Sequence, residues 1–182
     1  MRIAVLLPIL LSVALGATPA AAKDRAEIAR EVAATLKEFR ANTPPKVQAY
    51  VARAKGVLVF PSVVKAGIGI GGEYGEGALL VGNKLVEYYS VAGGSIGFQF
   101  GAQSRSQILL FMTADALAAF RKSKGWKAGV DGSVAVVTVG AGGEVMTPDQ
   151  KQPVLGFIYG AKGLMYNLSF EGQKFSKLKS KK

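Results

Sequence analysis

The chain has neither cysteine nor histidine among its 182 residues. Without cysteine it can form no disulfide, no thiolate metal site and no lipid-bearing N-terminal cysteine. Without histidine it lacks the usual proton shuttle, and the two absences together remove the usual transition-metal ligands. Acidic residues are scarce, 12 against 23 Lys and Arg, and scattered, with no carboxylate cluster such as a calcium loop needs. Beyond the first 22 residues no apolar run is long enough to cross a membrane as a helix. These gaps point away from an enzyme and exclude the common metal sites. No cofactor is expected, and packing alone must hold the protein together.

What is present is a chain with 49% apolar and 19% charged residues, enough to bury the core of one compact domain. Met1 to Ala22 has the form of a secretory signal peptide: Arg2 at the start, an apolar stretch from Ile3 to Leu15, and Ala20-Ala21-Ala22 as a small-residue cleavage site. Cleavage after Ala22 removes Arg2 and leaves 22 basic residues against 12 acidic, a net charge of +10. That balance favours polyanionic partners, and export leaves anionic lipid or envelope polymers rather than nucleic acid. The expected location is periplasmic or exported, soluble or peripherally attached to a membrane.

From Asp24 to Arg40, Ile28, Val32, Leu36 and Phe39 recur at steps of four, four and three, the stripe of an amphipathic helix. Its remaining charges cancel, which fits a helix docked on its own domain better than a cationic membrane-surface helix. Thr43-Pro44-Pro45 interrupts it, and Lys46 to Ala54 predicts a short second helix. Short β-rich, glycine-punctuated runs follow at Gly56–Phe60, Ala66–Gly72, Ala78–Val81, Leu85–Phe100, Ser106–Met112, Gly129–Val139, Val154–Tyr159 and Leu164–Phe170. Val81-Gly82-Asn83-Lys84 reads as a tight hairpin turn, and Ala114 to Lys122, capped by Thr113 or Asp115, as a helix within the β region. The expected fold is α+β: a β-rich single domain with a glycine-rich, mostly antiparallel, barrel-like or strongly curved sheet, an N-terminal amphipathic helix and one or two further short helices. The organisation is leader 1–22, helix and proline linker 23–45, domain 46–178 and basic tail 179–182.

Three catalytic or nucleotide signatures fail on context. Gly67-x-Gly69-x-x-Gly72 has the spacing of a dinucleotide turn, but Glu73-Tyr74-Gly75-Glu76-Gly77 cannot open the helix that would meet a phosphate. Gly77 to Lys84 approaches a P-loop with its lysine one place late and no Ser or Thr after it. Gly93-Gly94-Ser95-Ile96-Gly97 resembles a nucleophile elbow, yet no histidine exists to take a proton from Ser95. Glu73, Glu76 and Glu87 carry no mark of a catalytic carboxylate pair. The glycines instead fall every second residue, so Gly67, Gly69 and Gly71 share one strand face that is nearly bare backbone. Such a face invites the close approach of a helix, another sheet or a ligand.

Two basic runs are candidate contacts with an anionic surface. Arg121, Lys122, Lys124 and Lys127 surround Trp126, an indole that either folds into the core or sits at head-group level. Phe170 to Lys182 carries Lys174, Lys177, Lys179, Lys181 and Lys182 with Phe175 and Leu178, a pattern that reads as a solvated tail.

Several ordered blocks carry a resemblance: Lys55-Gly56-Val57-Leu58-Val59-Phe60-Pro61, the Lys65-to-Gly77 glycine stretch, Gly93 to Gly101, and Gly163-Leu164-Met165-Tyr166-Asn167-Leu168-Ser169-Phe170-Glu171-Gly172. Together they resemble the SYLF domain, also called the Ysc84 actin-binding or DUF500 family, over about Val47 to Leu178. The resemblance implies a non-enzymatic lipid-binding module of the phosphatidylinositol-binding kind, in bacteria an exported envelope protein. Some relatives bind and bundle actin. This chain lacks their SH3 or FYVE partner domains, and its first helix carries no net charge. The expectation is a module of the bacterial cell envelope that binds anionic phospholipid. The alternative is a structural or protein-interaction module that docks an envelope protein on its glycine-faced sheet.

Overall fold

The structure is a computed structural model that describes residues 23–139, 145–146, 152–162 and 169–179. Three helices, α1 (Arg25–Asn42), α2 (Pro45–Arg53) and α3 (Ala114–Lys122), accompany eight strands. The strands are β1 (Gly56–Val81), β2 (Lys84–Phe111), β3 (Trp126–Lys127), β4 (Ala135–Val136), β5 (Thr138–Val139), β6 (Val145–Met146), β7 (Val154–Lys162) and β8 (Lys174–Lys177). The main sheet runs β3-β8-β2-β7-β4 with β1 also paired to β2, and β5 and β6 form a separate pair. All pairings but β4–β7 are antiparallel. This is the α+β, curved, mostly antiparallel architecture that the sequence predicts.

The first five of the eight runs anticipated along the sheet are stretches of two long strands. β1 has 26 residues and β2 has 28, paired along their length and joined by Gly82 and Asn83 at φ of 55° and 64°. Positive φ at both central residues is the signature of a tight hairpin turn. A straight strand of 26 residues would measure on the order of 85 Å, too long for a compact domain, so the ribbon must bend. Register shifts at Phe60/Val63, Ile68/Ile70 and Leu79/Leu80 supply the bends without ending the pairing. The glycines allow the result: a β-carbon on Gly75 would lie 2.7 Å from the Ser62 carbonyl oxygen, and one on Gly77 would strike that of Val59. Thus β1 doubles back over itself.

Gly56–Phe60 at the start of β1 and Gln107–Phe111 at the end of β2 are buried on both faces, which explains their apolar runs. Val57, Val59, Ile108 and Leu110 face one cluster, and Leu58, Phe60, Leu109 and Phe111 the other. The stripe Ile28, Val32, Leu36 and Phe39 of α1 is buried in the first cluster, with Phe39 edge-on to Phe157 and Tyr159. Burial of each such side chain contributes about 1.5–3 kcal/mol. The stripe therefore presents no apolar face outward. The second cluster packs α3, β3 and β8 around Phe60, Phe120, Trp126 and Phe175.

Two further expectations change. The strand predicted over Gly129–Val139 opens as a turn, because Gly129 takes φ 84° and Asp131 accepts from the Lys127 main-chain nitrogen at 2.7 Å; beyond a single bridge between Ala128 and Gly132, strand pairing resumes at Ala135. The solvated tail is largely structure, since β8 pairs with both β2 and β3. Most of the strand predicted over Leu164–Phe170 lies outside the described residues, and Phe170 is a buried core residue.

Candidate functional site

The two lysine-rich runs, nearly fifty residues apart in the chain, meet through the β3–β8 pairing. Trp126 stands opposite Phe175, and Lys127 opposite Lys174. Alternation then sorts each strand: Trp126 is 4% and Phe175 1% exposed, while Lys127 and Lys174 are exposed. The aromatic rings lie 5.7 Å apart and anchor both strands in the core. Trp126 and Phe175 are thus corrected from candidate lipid contacts to core residues. Leu178 is half-buried against the cluster under α1, and its main-chain nitrogen donates to the Tyr88 carbonyl at 2.9 Å.

The cations remain on the surface. Lys127 and Lys174 form a directly opposed like-charge pair on exposed strands, an arrangement that destabilises a sheet unless a counter-charge relieves it. The Lys174 stem runs tightly over Gly125, where a β-carbon would meet its Cε. Arg121 and Lys122 end α3, Lys124 follows in the connecting loop, and Lys179 leaves β8, all exposed. Lys181 and Lys182 lie outside the described residues. Lys177 projects to the other face from Lys174 and meets Arg121 through Glu87. The basic rim therefore wraps the edge strand instead of lying on one plane.

Glu87 organises the second half of that rim. Its carboxylate accepts from Lys177 Nζ at 2.9 Å, Arg121 Nε at 3.1 Å and the Tyr89 hydroxyl at 2.8 Å. Burial alone would raise its pKa, but the hydrogen bonds from Arg121, Lys177 and Tyr89 outweigh it and hold the carboxyl down at about 2. Burial, then Glu87 itself, raises the Tyr89 phenol, so it remains a donor.

A buried polar group sits deeper in the curl, and no sequence motif announced it. Arg105, 2% exposed, donates from Nη2 to Glu73 Oε2 at 2.7 Å. With the Gln107 amide oxygen turned toward it, Arg105 also donates from Nε and Nη2 at 3.2 Å each, and Gln107 exchanges hydrogen bonds with Gln173 at 2.8 and 3.1 Å. Arg105 Nη1 has no partner among the described residues. Arg105 stands in the polar run Gln103-Ser104-Arg105-Ser106-Gln107, which gives no sign of its burial.

At Gly67 the strand closes on its own chain. A β-carbon on Gly67 would strike Gly71 Cα and the Ile70 carbonyl oxygen, because the shift between Ile68 and Ile70 bends the strand there. The cleft between α1, α2 and the β1–β2 turn, lined in part by Leu36, Arg40, Gln48 and Asn83, has no acid on its walls. Among the described residues no group of His, Cys, Asp or Glu could hold a metal ion.

The sheet edge that carries the basic rim lies in a segment with a known signature. Residues 92–181 match the Ysc84 family, described as Las17-binding protein actin regulator. The match covers the C-terminal part of β2, α3 and every later strand, so the Ysc84 segment holds the basic rim and Arg105. The doubled-back β1 and the helices α1 and α2 lie N-terminal to it. The Ysc84 family is one of binding modules rather than catalysts. No curated protein matches the chain.

Proposed function

We infer that the protein is an exported, non-enzymatic module of the bacterial cell envelope that binds anionic phospholipid surfaces through the basic rim around β3 and β8. The observation that carries this reading is the opposed pair Lys127 and Lys174, which concentrates like charge where the sheet gains nothing from it. Lys122 and Lys124, exposed at the end of α3 and in the loop before β3, extend the field, and the leader supports export. Each lysine held near an anionic membrane contributes about 1 kcal/mol, so the rim supplies reversible attachment and not a permanent anchor. Lysine on an edge strand also discourages edge-to-edge pairing, which accounts for one such residue more readily than for two facing each other. Flotation of the chain from Lys23 with vesicles tests the reading. Binding to anionic and not neutral vesicles, lost in Lys127→Glu/Lys174→Glu, is expected; equal binding to both vesicle types, or none, overturns it.

The Ysc84 description itself favours a second reading, a protein-docking module, since the family is described by a protein it binds. The close approach of the strand to itself at Gly67 leaves less room there for a dock. Crosslinking in envelope preparations would then capture a protein partner that Lys127→Glu/Lys174→Glu leaves in place.

A further inference from the structure

The main-chain nitrogen of Lys23, the residue that leader cleavage would place first in the chain, points at a carboxylate. It donates to Glu76 Oε2 at 3.1 Å, while the Tyr74 hydroxyl donates to Oε1 at 2.8 Å. Burial, then the hydrogen bond and charge of Glu76, push the Tyr74 phenol up to about 12. Tyr74 therefore occupies Oε1 as a donor throughout the neutral range and leaves Oε2 to residue 23. The approach of the chain is fixed on both sides. Lys23 Nζ binds both oxygens of Glu31 at 2.6 and 2.7 Å, and the Arg25 guanidinium lies 4.9 Å over the Tyr88 ring and reaches the Leu178 carbonyl.

With Ala22 attached, residue 23 offers Glu76 one neutral N–H. Hydrolysis of the Ala22–Lys23 peptide bond changes the charge on that same atom: water supplies the oxygen of the new Ala22 carboxylate, and the Lys23 nitrogen is protonated to an ammonium. We propose that Glu76 is the docking site of the processed N-terminus, where leader removal converts a neutral hydrogen bond into an ion pair that pins α1 to β1. The proposal rests on the export reading of the leader and is independent of what the basic rim binds. Amine capture by a positioned acceptor is an established recognition mode for chain ends. Its consequence is that the precursor holds α1 less firmly than the processed protein does.

The charged groups around the amine are Glu76 and Tyr74 from β1, Asp24, Arg25 and Glu31 from the α1 segment, and Lys179 beyond β8. Glu76 is in direct contact and favours the ammonium, so the pKa of the amine lies above its ordinary ~8. A raised value adds stability that is present below the ordinary pKa and is lost as the pH climbs through the folded one.

The test compares chains that begin at Lys23 or at Ala22, released from a cleavable fusion, each with and without Glu76→Gln. The Lys23 chain is expected to melt about 2 °C above the Ala22 chain near neutral pH, the gap closing by about pH 10. Glu76→Gln removes the gap. Equal melting of the two chains, or a gap that survives Glu76→Gln, overturns the docking site. Separately, the intact mass of protein exported from the full-length precursor is expected to begin at Lys23, and any other start overturns the processing step. Neither readout involves vesicles, so failure here and failure of the lipid reading are distinct.

Discussion

At the scale of single residues, the hardest position to replace is Glu73. It compensates a guanidinium that is almost wholly buried, and removing one partner of such a pair leaves a charge in low dielectric. Glu73→Gln is expected to cost about 3–5 kcal/mol in urea unfolding. Arg105→Met with Glu73→Gln should cost less than Glu73→Gln alone, because the charge and its unpartnered Nη1 leave together. Gly77 and Gly94 make a second comparison. A methyl on Gly77 strikes the Val59 carbonyl, whereas one on Gly94 meets nothing within 4 Å. Gly77→Ala should cost at least about 1–3 kcal/mol, and Gly94→Ala should unfold within about 0.5 kcal/mol of the parent. Glu87 gives a pH signature. Its folded pKa, about 2, lies below the ordinary carboxyl value, so its contribution is present above ~4 and disappears as the pH falls toward 2. Denaturant midpoints between pH 6 and pH 2 should fall less steeply in Glu87→Gln than in the parent.

At the scale of elements, what could be read in the sequence was what repeats along one element. The α1 stripe, α3 with its Thr113 cap and the Gly82-Asn83 turn each have a local cause and stand where their residues put them. The long strands had no such mark. Glycine punctuates a sequence in the same way whether the chain turns or merely bends, and the contacts of Gly75 with Ser62 and of Gly77 with Val59 tell which. The tail misled for a related reason. Lys174-Phe175-Ser176-Lys177 is too short to show a period, and its strand character comes from the two partners that sandwich it. The basic residues of the rim were legible as two runs; their joining was not, because it depends on register between residues nearly fifty apart. One practical consequence concerns truncation. Removal of residues 172–182 would delete β8 and open the core around Phe175, so it is expected to lower the melting temperature sharply and to mix lost folding with lost binding. Charge reversal at Lys127 and Lys174, both exposed, separates the two: the opposed pair stays like-charged, so melting should hold while vesicle binding falls.

At the scale of the whole molecule, the net charge and its placement make different predictions. A net charge of +11 spread evenly would attract any anionic surface through the general field, and single reversals would matter equally wherever they fell. The fold instead sets Lys127 and Lys174 opposite each other on β3 and β8, with Lys124 just ahead of β3, while the segment from Asp24 to Arg40 carries mixed charges that cancel. Reversal of Lys127 should therefore weaken binding to anionic vesicles about fivefold or more, following ~1 kcal/mol for each lysine near the surface. Reversal of Lys37, exposed on α1, should weaken it about twofold at most. Raising the salt from about 0.05 to 0.5 M shortens the screening length below the size of the rim and should bring the two variants and the parent together. If the Lys37 and Lys127 reversals cost the same at low salt, the field is global and the rim is not a site. Flotation of the three proteins at the two salt concentrations decides between these pictures without any need to know the lipid in advance.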